Sequence, residues 1–370
     1  MKKIFYFLSS IISLVFPTKQ AVATLVPEQY QSSVDSADRL AKHIQTKFSI
    51  PGMQITAMKD NKVIWSNTYG YRNLTLKLAL KNYNKMRIAS ISKMFTSVGI
   101  MKLIEMNLIN PDSTIQTYVP EFPEKKYQIT IRHLLNHTSG IRHYNNDEFN
   151  NPKKYKTIEE SLNYFKNDSL MFEPGTQVLY SSYAYNLLGV VIERIMKMPY
   201  KDFIYKYLLY PSTLKYTIPD QIGNFIKNKS FYYYFDDKEI IRNTYDYDMT
   251  FKLPTGGYLS TSYEITKFAS ELIEGKILNE QILKLYLSPT YLKNGESTFW
   301  NMGLKNSQID NTTNVFWQMG STYGGCSAVI FDPVSKLTVC WLNNMSVAWT
   351  EEEILQMMKY FLEGNKKIKN

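Results

Sequence analysis

Strand patterns occupy the two ends of this 370-residue chain, and helical patterns fill its middle. That ordering constrains the fold more than any single motif, because the two ends are left to complete one sheet around an insertion. Near the N-terminal end, Met53, Ile55 and Ala57 alternate with Gln54 and Thr56. Asp60-Asn61 supplies a turn, and Lys62 to Tyr69 resumes the extended pattern, which reads as a β-hairpin. Near the C-terminal end, strand signals cover Asn314 to Met319, Cys326 to Phe331 and Leu337 to Leu342. Helical periodicity runs over Asp35 to Phe48, with Leu40, Ile44 and Phe48 on one stripe. It returns over Ser90 to Met106, Ile131 to Asn136, Ser182 to Met198 and Glu351 to Leu362. Thr350 is the expected N-cap of the last helix, with Glu353 at the capping-box position and Gly364 as its stop. The expected fold is α/β in the α+β sense: a five-stranded antiparallel sheet from both chain ends, covered by terminal helices, with an inserted, mainly helical lobe. The sheet lobe takes residues of about 24–85 and 310–370, and the helical lobe about 86–309, within one domain over 24–370.

Residues 1–23 read as an export signal. Lys2 and Lys3 give a positive start, Ile4 to Phe16 is an apolar run broken only by serines, and Ala21-Val22-Ala23 is a small-x-small cleavage site. The expected location is therefore exported, periplasmic or secreted. The run is short for a membrane span, so membrane attachment follows only if the leader stays uncleaved. The formal net charge is +10, but the lysines are scattered. Lys227-Asn228-Lys229 before Phe231-Tyr232-Tyr233-Tyr234, and the tail Lys366-Lys367-Ile368-Lys369, read as a solvated loop and a charged end. No nucleic-acid motif accompanies them. The only cysteines, Cys326 and Cys340, lie on consecutive apolar runs. A hairpin centred near Val334 places them diagonally on one face, further apart than directly opposed residues, so free buried thiols are expected.

Chemistry concentrates at Ser90-Ile91-Ser92-Lys93. Residues three apart on a helix are neighbours, so a hydroxyl and an amine would stack on one face. A serine is a weak nucleophile until a base takes its proton. A lysine serves if burial or nearby positive charge lowers its pKa. The copy Ser212-Thr213-Leu214-Lys215 starts no long helical pattern and reads as chance. Tyr180-Ser181-Ser182 follows the Phe172-Glu173-Pro174-Gly175 turn and opens a helix, where a tyrosine hydroxyl can act as acid or base. The segment Phe316-Trp317-Gln318-Met319-Gly320-Ser321-Thr322-Tyr323-Gly324-Gly325 runs from a strand into a glycine-rich bend. It reads either as a source of free N–H groups for an oxyanion or as a plain hairpin turn. Gly256-Gly257 looks like a further close-approach loop. His133 and His137 are four apart on a short helix, but no Glu stands between them and no third ligand is evident. They read as structural, and neither a metal nor an organic cofactor is expected.

Ser90-x-x-Lys93, Tyr180-Ser181-Ser182 and Gln318-Met319-Gly320-Ser321, taken in that order, resemble the serine β-lactamase and penicillin-binding protein superfamily on its class C side. Tyr118-Val119-Pro120-Glu121-Phe122-Pro123-Glu124-Lys125 and Leu134-Leu135-Asn136-His137-Thr138-Ser139-Gly140-Ile141-Arg142-His143-Tyr144 resemble the branch of mitochondrial serine β-lactamase-like proteins and their bacterial relatives. The resemblance covers roughly residues 35 to 362. It implies a β-lactamase/transpeptidase-like fold with Ser90 as acylated nucleophile, Lys93 as base and Tyr180 as proton shuttle. It implies an oxyanion hole from the N–H groups of Ser90 and Ser321, with Ser182, Gln318 and Gly320 facing substrate. Two positions depart from the family pattern: Ser182 replaces a frequent Asn, and Gln318 replaces a Lys or His. The second change removes a cation from the substrate side and puts efficient β-lactam cleavage in question. The expected activity is an exported serine hydrolase acting through an acyl-enzyme on a peptide, amide or ester. Its rival is a penicillin-recognising or filament-forming assembly protein with little turnover. The expected partner is a small-molecule or peptide substrate, and the resemblance admits a homo-oligomer.

Overall fold

The computed structural model describes residues 26–145, 148, 155–223, 225–347 and 350–366. The leader expected over residues 1–23 lies outside them. Eight strands build the main sheet: β1 (Gly52–Lys59), β2 (Lys62–Asn73), β3 (Leu78–Ala79), β4 (Trp300–Asn301), β5 (Leu304–Asp310), β6 (Thr313–Thr322), β7 (Gly325–Asp332) and β8 (Leu337–Asn343). Their spatial order is β3-β2-β1-β8-β7-β6-β5-β4, antiparallel throughout. The chain ends meet where β1 pairs with β8, from Met53 opposite Asn343 to Lys59 opposite Leu337. Asp60 and Asn61, both with positive φ, close the β1–β2 hairpin, as a two-residue primed turn requires.

The expectation of five strands is thus corrected to eight. The additions are β3, β4 and β5, and all of them lie toward the sheet edges. Two-residue strands carry no period. Leu304-Lys-Asn-Ser-Gln-Ile-Asp310 is a polar, half-buried strand next to the sheet edge, with none of the apolar alternation that marks a strand packed on a core.

Each face of the sheet packs against helices. On one face α1 (Gln31–Lys47) and α6 (Glu351–Lys366) bring Ala37, Ala41, Ile44, Met358 and Phe361 onto Ile330, Val339 and Trp341. The alternate residues Val329, Phe331, Cys340 and Leu342 join the core of the helical lobe. Each large side chain buried this way contributes roughly 1.5–3 kcal/mol. Gln54 and Thr56, the polar half of the β1 alternation, do not reach water. Gln54 Nε2 donates to the carbonyls of Lys81 and Asn84, and Thr56 Oγ1 lies 2.9 Å from Ser262 Oγ.

The capping box of α6 forms as read: Thr350 Oγ1 accepts from Glu353 N, and Thr350 N donates to Glu353 Oε2. Gly364, however, does not stop the helix, which continues to Lys366. A Cβ there would sit 2.5 Å from Ser33 Oγ, so the glycine lets α1 approach α6. Cys326 and Cys340 are free and buried. Their placement on one face needs correcting, because the hairpin register is one residue further on. Cys326 pairs with Asn343, and Cys340 pairs with Val329. A one-residue slip moves a side chain to the other face. Cys326 therefore lies under the terminal helices and Cys340 under the helical lobe.

Candidate active site

The site begins at a buried cation. Arg87, the last residue of a short strand paired to Leu259, is 1% exposed. Its Nε donates to Asp220, Nη1 to the carbonyl of Tyr323 and Nη2 to Asp246. Lys229 bridges the same two carboxylates at 2.7 and 3.0 Å. Burial raises the pKa of Asp220, but Arg87 and Lys229 together hold it below the usual carboxylate value. This network ties the backbone before Ser90 to the β6–β7 turn.

Ala89 then adopts φ +45°, and Ser90 follows within a 3-10 turn (Ala89–Ile91) that leads into α2 (Ser92–Glu105). A left-handed alanine costs about 1–2 kcal/mol, a strain the surrounding contacts hold in place. The turn and α2 bring Lys93 Nζ to 3.2 Å from Ser90 Oγ. Lys93 is 1% exposed, and its Nζ also donates to the carbonyl of Thr255 at 2.9 Å. Burial, reinforced by the charge of Lys252, lowers its pKa well below the ordinary lysine value. A neutral amine can give one hydrogen to Thr255 and turn its lone pair to Ser90.

Tyr180 arrives from the opposite side. Ser181 caps α4 (Ser182–Met196) by accepting from Ala184 N, which fixes the residue just before the cap. The Tyr180 hydroxyl donates to Ser90 Oγ at 2.9 Å. Burial pushes its pKa up to about 12, against the opposing hydrogen bonds of Ser90 and Ser182, so it stays protonated at neutral pH. Ser90, Lys93 and Tyr180 therefore converge on one oxygen.

Strand β6 forms the facing wall. A Cβ on Gly320 would lie 2.5 Å from the carbonyl oxygen of Ile88 and 2.7 Å from Ser90 N. Only glycine lets the strand lie this close to the serine turn, and Ser321 follows at once. At the glycine-rich bend, Tyr323-Gly324 is a hairpin turn joining β6 and β7, and Gly320 sets the close approach of β6 to the serine turn. Gly256 backs onto Ala89, where a Cβ would lie 3.5 Å from the Ala89 carbonyl carbon, an ordinary van der Waals contact.

Between these elements opens a cleft of about 430 Å³. Ser90, Tyr180, Ser182, Gln318, Gly320 and Ser321 line it, together with His143, Trp300, Lys305, Trp317 and Met319. All the expected site residues border it except Lys93, which sits behind Ser90. Gln318 is buried in the wall, and its Nε2 donates to the carbonyl of Met319 at 3.2 Å. Among the described residues, no acidic side chain lines the cleft. Lys305 lies 4.7 Å over the Trp317 ring and 3.7 Å from Glu351.

The second Ser-x-x-Lys copy forms a turn, with Thr213 at φ +54° and the carbonyl of Ser212 accepting from Lys267. His133 and His137 are occupied by backbone: His133 Nδ1 accepts from Thr130 N, and His137 Nδ1 from Ser181 N. Among the described residues no group of three His, Cys, Asp or Glu side chains suits a metal ion.

His143, Trp300 and Lys305 line the cleft, and Lys252 lies behind it, without standing out as candidates in the sequence. Lys252 is buried over the rings of Tyr144 and Tyr247, and burial with the charge of Arg87 lowers its pKa to about 7. Trp300 belongs to a two-residue strand, and no local pattern flags Lys252. A cue did exist for His143, which lies six residues after His137 in a turn-rich stretch.

Known proteins resemble this chain in sequence and in fold. The serine beta-lactamase-like protein LACTB, mitochondrial, of Homo sapiens is 29% identical over 356 residues, 74% of this chain, and the chain spans only 65% of that relative's length. Among solved structures, the octameric penicillin-binding protein homologue from Pyrococcus abyssi superposes with a TM-score of 0.76 at 22% identity, covering 89% of this chain and 77% of that one. A D-stereospecific amidohydrolase from Streptomyces sp. gives 0.75 at 20% identity, covering 87% and 97%; both share the β-lactamase/transpeptidase-like fold. A family model described as Beta-lactamase matches residues 37–351, most of the chain and all of the residues that meet at Ser90, and on that match the chain belongs to the beta-lactamase family.

Proposed function

We propose that this protein is an active-site serine hydrolase that acts on an amide or ester of a peptide or small molecule through an acyl-enzyme. One observation carries the reading: Ser90 Oγ, on the wall of an open cleft, lies 3.2 Å from the buried Lys93 amine and 2.9 Å from the Tyr180 hydroxyl. In the proposed reaction Lys93 takes the Ser90 proton as Oγ bonds to the substrate carbonyl carbon. The carbonyl oxygen, now negative, turns to the N–H groups of Ser90 and Ser321. Collapse breaks the bond to the leaving group, which receives a proton by way of Tyr180. Water then attacks the ester on Ser90 and regenerates the enzyme.

The test is intact-mass analysis after treatment with a fluorophosphonate and with a fluorescent penicillin. We expect one adduct in the wild type and none in Ser90→Ala. An adduct on Ser212, or an undiminished adduct in Ser90→Ala, refutes the assignment. A second reading, recognition with little turnover, is favoured by Gln318, which is neutral and bonded to its own strand. A penicillin adduct that persists for hours would support that reading, while rapid loss of the adduct supports hydrolysis. Export belongs to the proposal as well. N-terminal sequencing of protein from its native host should find Thr24, whereas intact Met1 in the membrane fraction would place an anchor there instead. The octameric neighbour motivates a homo-oligomer, which size-exclusion chromatography with light scattering checks.

A further inference from the structure

Tyr180 is held by more than its helix. Four hydrogen bonds zip the Leu179–Ser182 segment to the stretch from His137 to His143. Leu179 N donates to the carbonyl of His137 at 2.8 Å, and Ser181 N donates to His137 Nδ1 at 3.1 Å. Ser182 N donates to His143 Nδ1 at 3.1 Å, and Ser181 Oγ donates to the carbonyl of Arg142 at 2.8 Å. Both imidazoles also pack on the Tyr180 ring, His137 at 4.5 Å and His143 edge-on at 5.4 Å. Two consecutive backbone N–H groups after the tyrosine thus end on two histidine Nδ1 atoms.

We propose that His137 and His143 are positioning residues, which hold the Tyr180 hydroxyl on Ser90 by accepting the N–H groups of Ser181 and Ser182. The proposal rests on the hydrolase reading above and adds to it the device that aims its tyrosine. An imidazole accepts at Nδ1 only when that nitrogen is unprotonated, which places the ring proton on Nε2. An imidazolium would point an N–H at an N–H and lose the bond. The surroundings keep both rings neutral. Burial is the largest cause: it lowers His143 to about 4 and His137 well below its ordinary value. His137 Nε2 is buried with no hydrogen-bond partner among the described residues, so nothing there compensates a charge. In this arrangement both rings use Nδ1 to shape the loop that presents Tyr180.

Two substitutions at His143 separate acceptance from packing. His143→Phe keeps a ring against Tyr180 and removes the acceptor. His143→Asn removes the ring but can place an oxygen near the Nδ1 position. The readout is the second-order rate of Ser90 acylation by a fluorophosphonate, with thermal unfolding confirming that each variant is folded. We expect His143→Phe to lose at least about tenfold, on the scale set by small misplacements of reacting groups, and His143→Asn to recover part of that loss. In a Tyr180→Phe background the same two changes should have little further effect, because a residue acting through Tyr180 cannot be additive with its removal. Full additivity, or wild-type labelling by His143→Phe, overturns the proposal while leaving Ser90 as nucleophile. If His143→Phe does not fold, the Tyr180→Phe/His143→Asn pair decides the same question. A wild type that never labels at Ser90 instead refutes the hydrolase reading, and this proposal falls with it.

Discussion

Replacing Gly320 with alanine should damage the site more than the fold. An ideal Cβ at this position lies 2.5 Å from the Ile88 carbonyl oxygen, 2.5 Å from Ser327 Oγ and 2.7 Å from Ser90 N. Two of these three atoms are backbone. The third is not free to swing away, because Ser327 Oγ donates to the same Ile88 carbonyl at 2.6 Å. Restoring ordinary van der Waals contact requires β6 to withdraw from the serine turn by about 1 Å. Overpacking of this kind costs about 1–3 kcal/mol, which the rest of an eight-stranded sheet can absorb. A displacement of that size at the reacting atoms costs on the order of 10²-fold in rate, since the proposed oxyanion donors, Ser90 N and Ser321 N, would be moved apart. The assay pairs fluorophosphonate labelling of Ser90 with denaturant unfolding of the same preparation. The expected result is a labelling rate down by about 10²-fold in a protein that unfolds cooperatively at slightly lower denaturant. Labelling within about threefold of wild type, well short of that expectation, would refute the argument, because β6 would then not be the wall that completes the site.

Lys93→Arg keeps the charge but cannot give up its proton, so acylation of Ser90 should fall by about 10²-fold or more; a near wild-type rate rules out Lys93 as the base. Gln318→Lys should raise kcat/KM for a penicillin-type substrate more than for a neutral ester, because a charge-assisted bond to a carboxylate is about twice as strong as a neutral one; an equal response shows that residue 318 does not face the carboxylate. Arg87→Met leaves Asp220 buried beside Lys229 alone and should destabilise folding by about 3–5 kcal/mol, read by chemical denaturation. His133, lowered to about 4 by burial and Lys293, is neutral in the folded protein where the unfolded chain is protonated. Stability should therefore decline as pH falls from about 6.5 to about 4, and His133→Asn, which can keep an acceptor for Thr130 N, should shrink that decline in thermal melts.

The strands that were legible are the ones buried on a core. β1, β2, β6, β7 and β8 all announce themselves by alternation or by apolar runs, and the union of the chain ends through β1 and β8 follows from them. The missed strands are those whose pattern is set by neighbours. β5 is polar along most of its length because it forms the sheet margin with only the two-residue β4 outside it. The cysteine placement failed on a single residue of register. Asp332 and Leu337 close the β7–β8 hairpin, so its centre lies half a residue beyond Val334, and in a structure of period two that half residue exchanges the faces.

The site divides along the same physical line. Ser90 and Lys93 are three residues apart, so their proximity is local geometry and can be read directly. Tyr180 is distant in sequence, yet its place at a helix start was readable because Ser181 is a good N-cap. What the sequence does not carry is the environment that makes these groups reactive. Lys93 could be a solvated helix lysine by every local criterion; it is buried because α2 is covered on nearly every side. The histidines mislead for a related reason. Spacing of four on a helix invites a metal reading, but His137 lies past the helix end, with φ +57°, and its ring turns back onto the Tyr180 segment. A left-handed residue there redirects the chain so that His143, six residues on, reaches the next N–H along. The two rings become a pair only through that turn. Their joint role follows from where the backbone sends them, and helix spacing could only have paired His137 with His133.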